Sequence, residues 1–590
     1  MTVEIPSRAE ILQAVRQHQV TEHAVLTQHF SLTSPMEQEA LRRRLQAMLR
    51  DGQLMLSRNG HYHCFHYTAE MAIAEVELQY GLPTVWPDSV FSEIRALPES
   101  LEPSDYKGRE DLRRLPFVTI DGVDAKDFDD AVYCQAAQDG WTLYVAIADV
   151  SHYVRLGSEI DEEALARGTS TYFPGYVIPM LPERLSNDLC SLVPAQDRLA
   201  MVAELSVSTT GELVASRFYP AVIHSHARLT YDQVNEHLTH AESTLAPALV
   251  ADIDRLHALY QALAKARYAR GALDFDTTEG RVELDAEGQP IGVTVVQRHD
   301  AHRLIEECML LANQAVAAFF VAREVNALFR VHTPPDADAM ANLGAYLRLC
   351  GVSLPKTKTF DASQLTEICR KVQGRADEAV IQTMILRAMN QAVYTPGNAG
   401  HFGLHYDAYV QFTSPIRRYP DLVAHRALRA VLAADDPAGH SYPFTQLAEL
   451  GDMTSQSERQ AEEASRLATQ KLKCALMYDK LGETYEGVVS GVVSFGLFVT
   501  LTDFLIDGLV PVATLHDDFY EFDRVKHQLI GQRTGRCYRQ GDAVSVKVAR
   551  ADIAEGQIDL DIFSANDDSV PLKHLRRKPK WRRTKRKRND

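Results

Sequence analysis

A run of acidic residues between two strand-like segments limits most strongly how this chain can fold. Within the sequence TIDGVDAKDFDD, carboxylates stand at Asp121, Asp124, Asp127, Asp129 and Asp130. The run follows PFVTI and precedes AVYC, apolar stretches that are typical of buried strands. Acids crowded in this way repel one another, which raises their pKa values unless a cation neutralises them. The segment therefore predicts a cation-binding loop between buried strands, with a solvated acidic loop as the alternative.

The spacing of these acids does not match a calcium-binding EF-hand loop. That loop needs a bidentate Glu eleven residues after its first ligand. The positions eleven residues after Asp121, Asp124 and Asp127 are Val132, Gln135 and Gln138. Hard oxygen ligands of this kind suit Mg²⁺ or Mn²⁺, and two such ions about 4 Å apart assist phosphodiester displacement. Phosphoryl hydrolysis is therefore the leading chemistry.

A second motif, FTSPIRRYPDLVAHR, places two adjacent arginines in a turn punctuated by proline. Arg417 and Arg418 precede a helix-like segment, DLVAHRALRAVL. Such a turn can place the guanidinium groups on the oxygens of a phosphate. Taken alone, the motif is equally compatible with two surface charges.

A chain of 590 residues is longer than a domain with one hydrophobic core usually is, so a multidomain α+β protein is expected. Residues 1–65 show three helical segments, with Ser7 and Ser34 as caps, and a hairpin turning at Asn59. This order predicts an N-terminal winged helix, which binds nucleic acid or a partner, or else is a plain packing domain. Residues 66–115 look like a residual segment, with a helical stretch, followed by an acidic connector that is either a linker or the edge of the next domain.

Residues 116–480 change from antiparallel strand patterns to helical periodicity, which predicts one large mixed α/β domain. Short strands with glycine turns over residues 481–563 predict a five-stranded β-barrel of OB type. Residues 564–590 form a basic tail too charged to fold alone.

The charge of the chain is divided unevenly. Residues 573–590 carry eleven Lys or Arg and one Asp, a net +10, whereas the whole chain is at −17, so the remainder carries −27. A polyanion must then be met by local basic patches or by the tail, for which a nuclear-type targeting signal is the competing interpretation.

No stretch has the length and apolar character of a membrane span or a leader, and the eight cysteines lack metal-ligand spacing. A cytoplasmic protein without membrane partners is expected.

Together, the two motifs resemble the paired signatures of the ribonuclease II and ribonuclease R family. The resemblance continues through RGTSTYFPGYVIPMLPERLSNDLCSL, HDAHRLIEECMLLAN and GHFGL, and covers residues 1–65 and 105–563. Ribonuclease R is the closer match because of the winged-helix-like start and the basic tail. The resemblance implies a monomeric 3′-5′ exoribonuclease of RNA decay and quality control, which hydrolyses single-stranded RNA to nucleoside 5′-monophosphates. The ribosome or other RNA-decay factors are the partners that the tail would meet.

The resemblance also implies roles for matching residues in catalysis. Asp121, Asp127, Asp129 and Asp130 are expected to hold the metal ions, Mg²⁺ or Mn²⁺, and the attacking water. Asp129 is expected to be the most critical, and Asp124 lies outside that set. Arg417 resembles the arginine that steadies the scissile phosphate, and Arg418 is a second candidate.

The RNA contacts implied by the resemblance come from the catalytic domain and from a C-terminal barrel that resembles an S1 domain. Tyr172 is expected to stack on the terminal base with Phe275 as its partner, and Tyr231 and Glu306 lie near the 2′-hydroxyl of the end nucleotide. For Phe275 and Tyr231 the alternative is an ordinary core aromatic, while an unpaired Glu306 would be costly to bury. The barrel candidates are Phe495, Phe498 and Lys547, of which Phe498 could equally belong to the core.

The chain departs from the family in one region. Members normally carry two cold-shock domains between the winged helix and the catalytic domain, and the roughly 50 residues available here cannot hold them. We expect weaker RNA binding and altered handling of duplexes, with the catalytic steps intact. The rival functions are a catalytically weakened RNA-binding scaffold, and an endonuclease or DNA-directed phosphodiesterase.

Overall fold

The computed structural model describes residues 5–17, 21–57, 60–64, 66–240, 243, 245–275, 279–354, 361–375, 377–433, 442–524 and 526–563. Asn59 of the predicted hairpin turn and the basic tail 564–590 lie outside these residues.

The helices of the described residues are α1 (Arg8–Gln17), α2 (His23–His29), α3 (Pro35–Arg50), α4 (Ala69–Tyr80), α5 (Asp88–Ala96), α6 (Val150–Tyr153), α7 (Glu159–Arg167), α8 (Tyr231–Thr239), α9 (Pro247–Arg270), α10 (Asp300–Ala322), α11 (Ala337–Leu349), α12 (Ala362–Val372), α13 (Glu378–Ala388), α14 (Tyr419–Leu432) and α15 (Phe444–Tyr478). A π-helical turn (Arg184–Leu189) and a 3₁₀ turn (Val512–Thr514) accompany them.

The strands are β1 (Leu54–Leu56), β2 (Tyr62–Cys64), β3 (Glu110–Asp111), β4 (Val118–Asp121), β5 (Asp130–Ala137), β6 (Gly140–Ala148), β7 (Thr171–Phe173), β8 (Tyr176–Ile178), β9 (Asp197–Ser208), β10 (Leu213–His224), β11 (Ala227–Thr230), β12 (Glu279–Leu284), β13 (Pro290–Val296), β14 (Phe329–Val331), β15 (Val393–Thr395), β16 (Thr484–Val493), β17 (Gly496–Leu501), β18 (Ile506–Pro511), β19 (Tyr520–Asp523), β20 (Gln528–Gly531), β21 (Cys537–Arg539), β22 (Ala543–Asp552) and β23 (Gln557–Ile562).

The N-terminal unit consists of α1, α2, α3 and the antiparallel hairpin β1–β2. Ser34 caps α3, because its hydroxyl accepts from the Glu37 amide at 3.2 Å while the Glu37 carboxylate accepts from the Ser34 amide at 2.9 Å. Ser7 accepts from the Glu10 amide at 3.2 Å in the same way. Both caps predicted from the sequence are therefore confirmed.

A seven-stranded sheet forms the centre of the protein, with strand order β11-β4-β5-β6-β9-β10-β3. The two edge strands, β11 and β3, are parallel to their neighbours, and the other pairs are antiparallel. Successive residues of β5 point to opposite faces, so that Val132 and Cys134 enter one core while Ala131 and Tyr133 enter the other. The antiparallel pairing predicted for these strands is confirmed.

Each face of the central sheet is covered by helices. On one face α9 and α10 bury residues such as Leu256 and Leu304, and on the other face α5, α7, α14 and the start of α15 form a second core. Helix α10 is long and apolar enough to cross a membrane by composition alone, but 67% of its most apolar window is buried inside the protein. Such burial is typical of a core helix.

Residues 66–115 pack against the rest of the protein instead of spanning two units as a linker. Helix α4 buries Ala72 and Val76 against α15, because its apolar residues recur at helical spacing. Helix α5 packs on α7, and β3 adds a strand to the edge of the central sheet beside β10.

The C-terminal residues form a closed barrel of five strands, β16-β17-β18-β23-β22, as the sequence predicted. A three-stranded sheet, β19-β20-β21, is inserted between β18 and β22. The barrel packs against the C-terminal part of α15, where Cys474 and Met477 share its core.

Candidate active site

The acidic loop lies at one end of the central sheet, where β4 ends at Asp121 and β5 begins at Asp130. It borders a cleft of about 1440 Å³. The cleft lining includes most of the catalytic-domain residues that the sequence singled out: Asp121, Asp127, Asp129, Asp130, Tyr172, Tyr231, Glu306, Arg417 and Arg418. The two motifs, almost 300 residues apart in sequence, therefore meet in one place.

The backbone of the acidic loop is held by hydrogen bonds to two neighbouring segments. The Phe128 amide donates to the Ser191 hydroxyl at 2.9 Å, and that hydroxyl donates to the Lys126 carbonyl at 2.8 Å. The Arg228 guanidinium donates to the Gly122 carbonyl at 3.1 Å. These contacts fix the loop, so its carboxylates keep defined positions although they repel one another.

Asp129 is the most deeply placed of the acids, with 5% of its surface exposed. Its Oδ1 accepts from the Ile416 amide at 2.8 Å, and its Oδ2 lies 3.4 Å from Arg417 Nε. Oδ2 is buried and has no hydrogen-bond partner among the described residues. Burial raises the pKa of this carboxyl well above its usual range, although Arg417 and the amide oppose the shift.

The neighbouring acids are also perturbed. Burial, with the charge of Asp121 adding to it, raises the pKa of Asp130 to about 7. Burial likewise raises the pKa of Asp121, even though the Gly122 amide donates to its Oδ1 at 2.7 Å. Asp127 accepts a hydrogen bond from the Tyr172 hydroxyl at 3.2 Å. The site concentrates carboxyl groups whose charged forms are incompletely stabilised by the protein.

The donor chemistry of this site fits a divalent cation. Buried carboxylate oxygens with raised pKa values, one of them unpartnered, are groups that a hard cation stabilises. In the part of the chain that the structure describes, however, no three His, Cys, Asp or Glu side chains form a ready-made metal cage. Two of the acids are instead turned toward protein groups, Asp127 toward Tyr172 and Asp129 toward Arg417.

Arg417 and Arg418 differ in what they contact. Arg417 donates to the Ser414 hydroxyl at 3.0 Å and keeps 42% of its side chain exposed in the cleft. Arg418 is largely buried and pairs with Asp421 at 2.7 Å, and the same Asp421 oxygen accepts from the Ser414 amide at 2.8 Å. Arg417 is thus the arginine available to a phosphate, while Arg418 and Asp421 hold the turn that presents it.

Two aromatic residues among the predicted RNA contacts line the cleft. Tyr172 lies on the hairpin β7–β8 with 41% of its surface exposed, and its carbonyl accepts from the Ser465 hydroxyl at 2.6 Å. Tyr231 begins α8, and its ring stacks on His302 with the centroids 4.0 Å apart. Tyr172 offers an exposed ring face, whereas Tyr231 is already partly packed.

The structure places Phe275 and Glu306 differently from the sequence-based expectation. Phe275 does not line the cleft with Tyr172, because it packs against the apolar cluster of α11, α12 and α13. Glu306 lines the cleft but pairs with Arg267 at 3.1 Å and with Arg298. Two guanidinium groups thereby compensate its burial, and its carboxylate is already engaged.

The barrel candidates separate into two places. Phe495 and Phe498 are 55% and 36% exposed, and their rings meet edge to face with centroids 6.2 Å apart. Lys547 is exposed opposite Thr484, at the start of β16. At the other end of β16, Phe495 lies in the turn and Phe498 follows it on β17. The two rings can form one stacking surface, to which Lys547 does not belong.

Several residues in and directly behind the cleft were missed by the sequence reasoning. Arg228 holds the acidic loop, Asp421 holds the arginine turn, and Arg281 of β12 pairs with Asp124 at 3.0 Å. Asn313 is buried on α10 and accepts from the Phe412 amide at 2.8 Å. Only Asn313 carried a usable signal, as a polar residue within the apolar segment CMLLAN.

Comparison with known proteins assigns the two main parts of the chain. Residues 109–434 match the RNB domain, and residues 478–563 match the S1 RNA binding domain. Ribonuclease R of Escherichia coli (strain K12) is 45% identical over 508 residues, which cover 84% of this chain and 62% of that protein. The chain belongs to the ribonuclease R family. Ribonuclease R of Aquifex aeolicus (strain VF5) is 39% identical over 84% of this chain and 70% of its own length.

Solved structures of the ribonuclease R family share the fold. Mycoplasma genitalium RNase R in complex with ribose methylated single-stranded RNA matches with a TM-score of 0.79 and 30% identity, covering 85% of this chain and 79% of that one. The present family member spans only about 62% of the length of its E. coli relative. Residues 66–108, all described, contain helices and turns but no strand, so no cold-shock barrel lies between β2 and β3.

Proposed function

We propose that this ribonuclease R family member is a 3′-5′ exoribonuclease that hydrolyses single-stranded RNA to nucleoside 5′-monophosphates. One observation carries the proposal: four aspartates with perturbed or engaged carboxylates meet Arg417 in a single cleft, with Arg417 Nε 3.4 Å from Asp129 Oδ2. The family supports the reaction, and the RNA complex of the Mycoplasma genitalium relative supports the substrate.

Each group in the cleft has a distinct task in this proposal. Arg417 binds a non-bridging oxygen of the scissile phosphate and stabilises the charge that develops there. Tyr172 stacks on the terminal base, which is sequence-independent because every base has a π-face. Tyr231 borders the end nucleotide, where contacts to the 2′-hydroxyl distinguish RNA from DNA. Arg418 acts through Asp421 and Ser414, as a positioning residue and not as a direct ligand.

Asp121, Asp127, Asp129 and Asp130 are the residues that would hold Mg²⁺ or Mn²⁺. When bound, such ions supply an activated water and neutralise charge on the attacking and leaving oxygens. For the aspartates to serve, Asp127 must give up its bond from Tyr172, and Asp129 must share its oxygen between Arg417 and the cation. Substrate binding would favour both changes, because it draws Tyr172 to a base and Arg417 to a phosphate.

The remaining assignments follow the domain layout expected from the sequence. We infer a winged helix at residues 1–65, a catalytic domain at 116–480, an S1 domain at 481–563 and a basic tail at 564–590. Phe495 and Phe498 stack on RNA bases, and the tail adds salt-sensitive affinity for RNA or for ribosome-associated partners. A monomer acting in the cytoplasm is the simplest state for such an enzyme.

The test compares the parent chain with Asp129→Asn on 5′-end-labelled single-stranded RNA, with and without Mg²⁺. The parent is expected to release mononucleotides from the 3′ end only with the metal, and Asp129→Asn to be slower by at least about 100-fold. Asp139→Asn is the matched control, since the same change falls on an exposed residue at the other end of β5.

Three results would contradict the proposal. Equal rates for the parent and Asp129→Asn would refute the role of the acidic loop. Cleavage of RNA with a blocked 3′ end would indicate an endonuclease. Tight RNA binding without any product from the parent would indicate an RNA-binding scaffold.

A further inference from the structure

Arg281 is a positively charged residue of the cleft, and it has no role in the proposed reaction. It lies on β12, and its guanidinium is 3.0 Å from the carboxylate of Asp124, in the middle of the acidic loop. The side chains are 65% and 75% exposed. Asp124 is the acid of that loop that stands outside the predicted metal set, so both partners need another explanation.

The hairpin β12–β13, which carries Arg281, is anchored to several parts of the protein. Val282, the next residue, is buried in the cluster formed by α4 and α15. The Gly288 carbonyl at the hairpin turn accepts from the Ala69 amide at 2.8 Å. Gly280 abuts the barrel, because a Cβ placed there would be 3.4 Å from the Cβ of Leu505. Arg281 therefore lies between the S1 barrel and the acidic loop, on a fixed support.

The other arginines of the cleft are committed to a greater degree. Arg228 donates to the loop carbonyls and Arg418 pairs with the buried Asp421. Arg417 contacts Asp129 at the centre of the site. The pair formed by Arg281 is the exposed one, and exposed ion pairs contribute little because water and salt screen them. Exchanging Asp124 for a phosphate therefore costs little free energy.

We propose that Arg281 binds a backbone phosphate of the RNA strand adjacent to the one that reacts. Asp124 is its placeholder: it pairs with the Arg281 guanidinium when no RNA is bound, and the phosphate replaces it when RNA binds. Asp124 lies three residues from both Asp121 and Asp127, so the site is within roughly 11 Å of the acids along the chain. The exposed Lys126 of the same loop adds a second positive charge there. The choice of RNA as the polymer rests on the proposed function.

A purely structural clasp between hairpin and loop is the rival explanation, and the two make opposite predictions. If the pair is a clasp, removing either partner loosens the loop, and both changes weaken RNA binding. If Asp124 is a placeholder, removing Arg281 weakens binding, while neutralising Asp124 strengthens it because a competitor for the guanidinium is lost.

The experiment measures binding of a 5′-fluorescent single-stranded RNA to the full chain by anisotropy, with EDTA present so that no cleavage occurs, at several salt concentrations. Arg281→Ala is expected to raise Kd about tenfold at low salt. It should also reduce the slope of log K against log salt by about 0.7, the contribution of one phosphate contact on a single strand. Asp124→Asn should lower Kd, by at most about fivefold.

Arg217→Ala is the matched control, since this arginine is 57% exposed and paired with Glu110 and Glu204 on the central sheet, outside the cleft. Its Kd and salt slope should equal those of the parent. Circular dichroism verifies that each variant is folded. An unchanged salt slope for Arg281→Ala, or weaker binding by Asp124→Asn, overturns the proposal.

A parallel assay of RNA shortening with Mg²⁺ separates this inference from the proposed function. If the parent binds RNA with the predicted dependence on Arg281 but yields no mononucleotides, the reaction is refuted and the phosphate site stands. If the parent shortens RNA and Arg281→Ala binds as the parent does, only the phosphate site is refuted.

Discussion

Asp130→Asn is expected to stabilise the metal-free protein above neutral pH, although it should remove one of the proposed metal ligands. The pKa of Asp130 is raised to about 7 in the folded chain, whereas an unfolded chain has a value of about 3.9 for Asp. Between these values the folded state holds a proton that the unfolded state has lost. Stability from this carboxyl therefore falls as the pH rises from 4 to 7, and the full cost is present at pH 8.

The size of the effect follows from this difference in pKa. One pKa unit corresponds to about 1.4 kcal/mol, so the carboxylate opposes folding by up to about 4 kcal/mol at pH 8. Solvent reaches part of the side chain, and screening reduces the expected gain on substitution to about 2 to 3 kcal/mol. Asparagine has the same shape and no charge. At pH 5, about one unit above the pKa of the unfolded chain, its advantage should shrink to roughly 1 kcal/mol.

Urea unfolding followed by tryptophan fluorescence measures this difference. Trp86 and Trp141 pack against the two cores of the central sheet and report its unfolding. Trp581 of the tail is changed to Phe in both chains, so that only these two contribute. With EDTA present, the urea midpoint of Asp130→Asn should exceed that of the parent clearly at pH 8 and by much less at pH 5.

Two outcomes would refute the reasoning about Asp130. An equal midpoint at pH 8 would show that the carboxylate is adequately solvated or paired. An equal gain at pH 5 and pH 8 would show that the substitution acts through packing and not through charge. Adding Mg²⁺ at pH 8 should raise the midpoint of the parent more than that of the variant, because the cation stabilises the charged form.

Three further predictions concern groups around the cleft. Asp421→Ala should lower the free energy of unfolding by about 3 to 5 kcal/mol, because Arg418 would stay buried without its partner; urea midpoints measure this loss. Arg228→Met should slow RNA shortening by about tenfold or more while the circular dichroism spectrum is unchanged, since the acidic loop loses its anchor. Phe275→Leu should leave the RNA Kd unchanged and cost about 1 kcal/mol of stability, whereas Tyr172→Ala should raise Kd by about fivefold or more.

The elements that border the active site could be predicted because their information is local. Strands β5 and β6 alternate in side-chain direction and are joined by a short turn containing Gly140, and each side of the sheet receives its own apolar set. Ser34 and Glu37 form a capping box that is readable over four residues. The barrel follows from regularly spaced strands and glycine turns. Local periodicity therefore predicted these features without knowledge of the tertiary contacts.

Side-chain partners across long sequence distances could not be predicted in this way. Glu306 finds Arg267 and Arg298 because α9, α10 and the end of β13 converge, a fact that no short segment contains. Phe275 has two apolar environments within reach, and the packing of α11–α13 decides between them. Lys547 is separated from the exposed aromatic pair by the register of β16 with β22. In each case a single residue type is compatible with several sites, and only the tertiary fold selects one.

The N-terminal unit is fixed to the junction of α15 and the barrel by polar contacts that require precise docking. Gln53 is fully buried there and donates to the carbonyls of Tyr478 and Asp479, both at 3.0 Å. Arg16 pairs with the Asp479 carboxylate at 2.6 Å. A buried amide is tolerated only where its hydrogen bonds are satisfied, so these contacts favour one orientation of the unit over others. No cold-shock barrel lies in the described residues 66–108 between β2 and β3. The polar contacts therefore hold the helices and hairpin of this unit directly beside the S1 barrel. The position of the unit relative to the S1 barrel is consequently set by this junction.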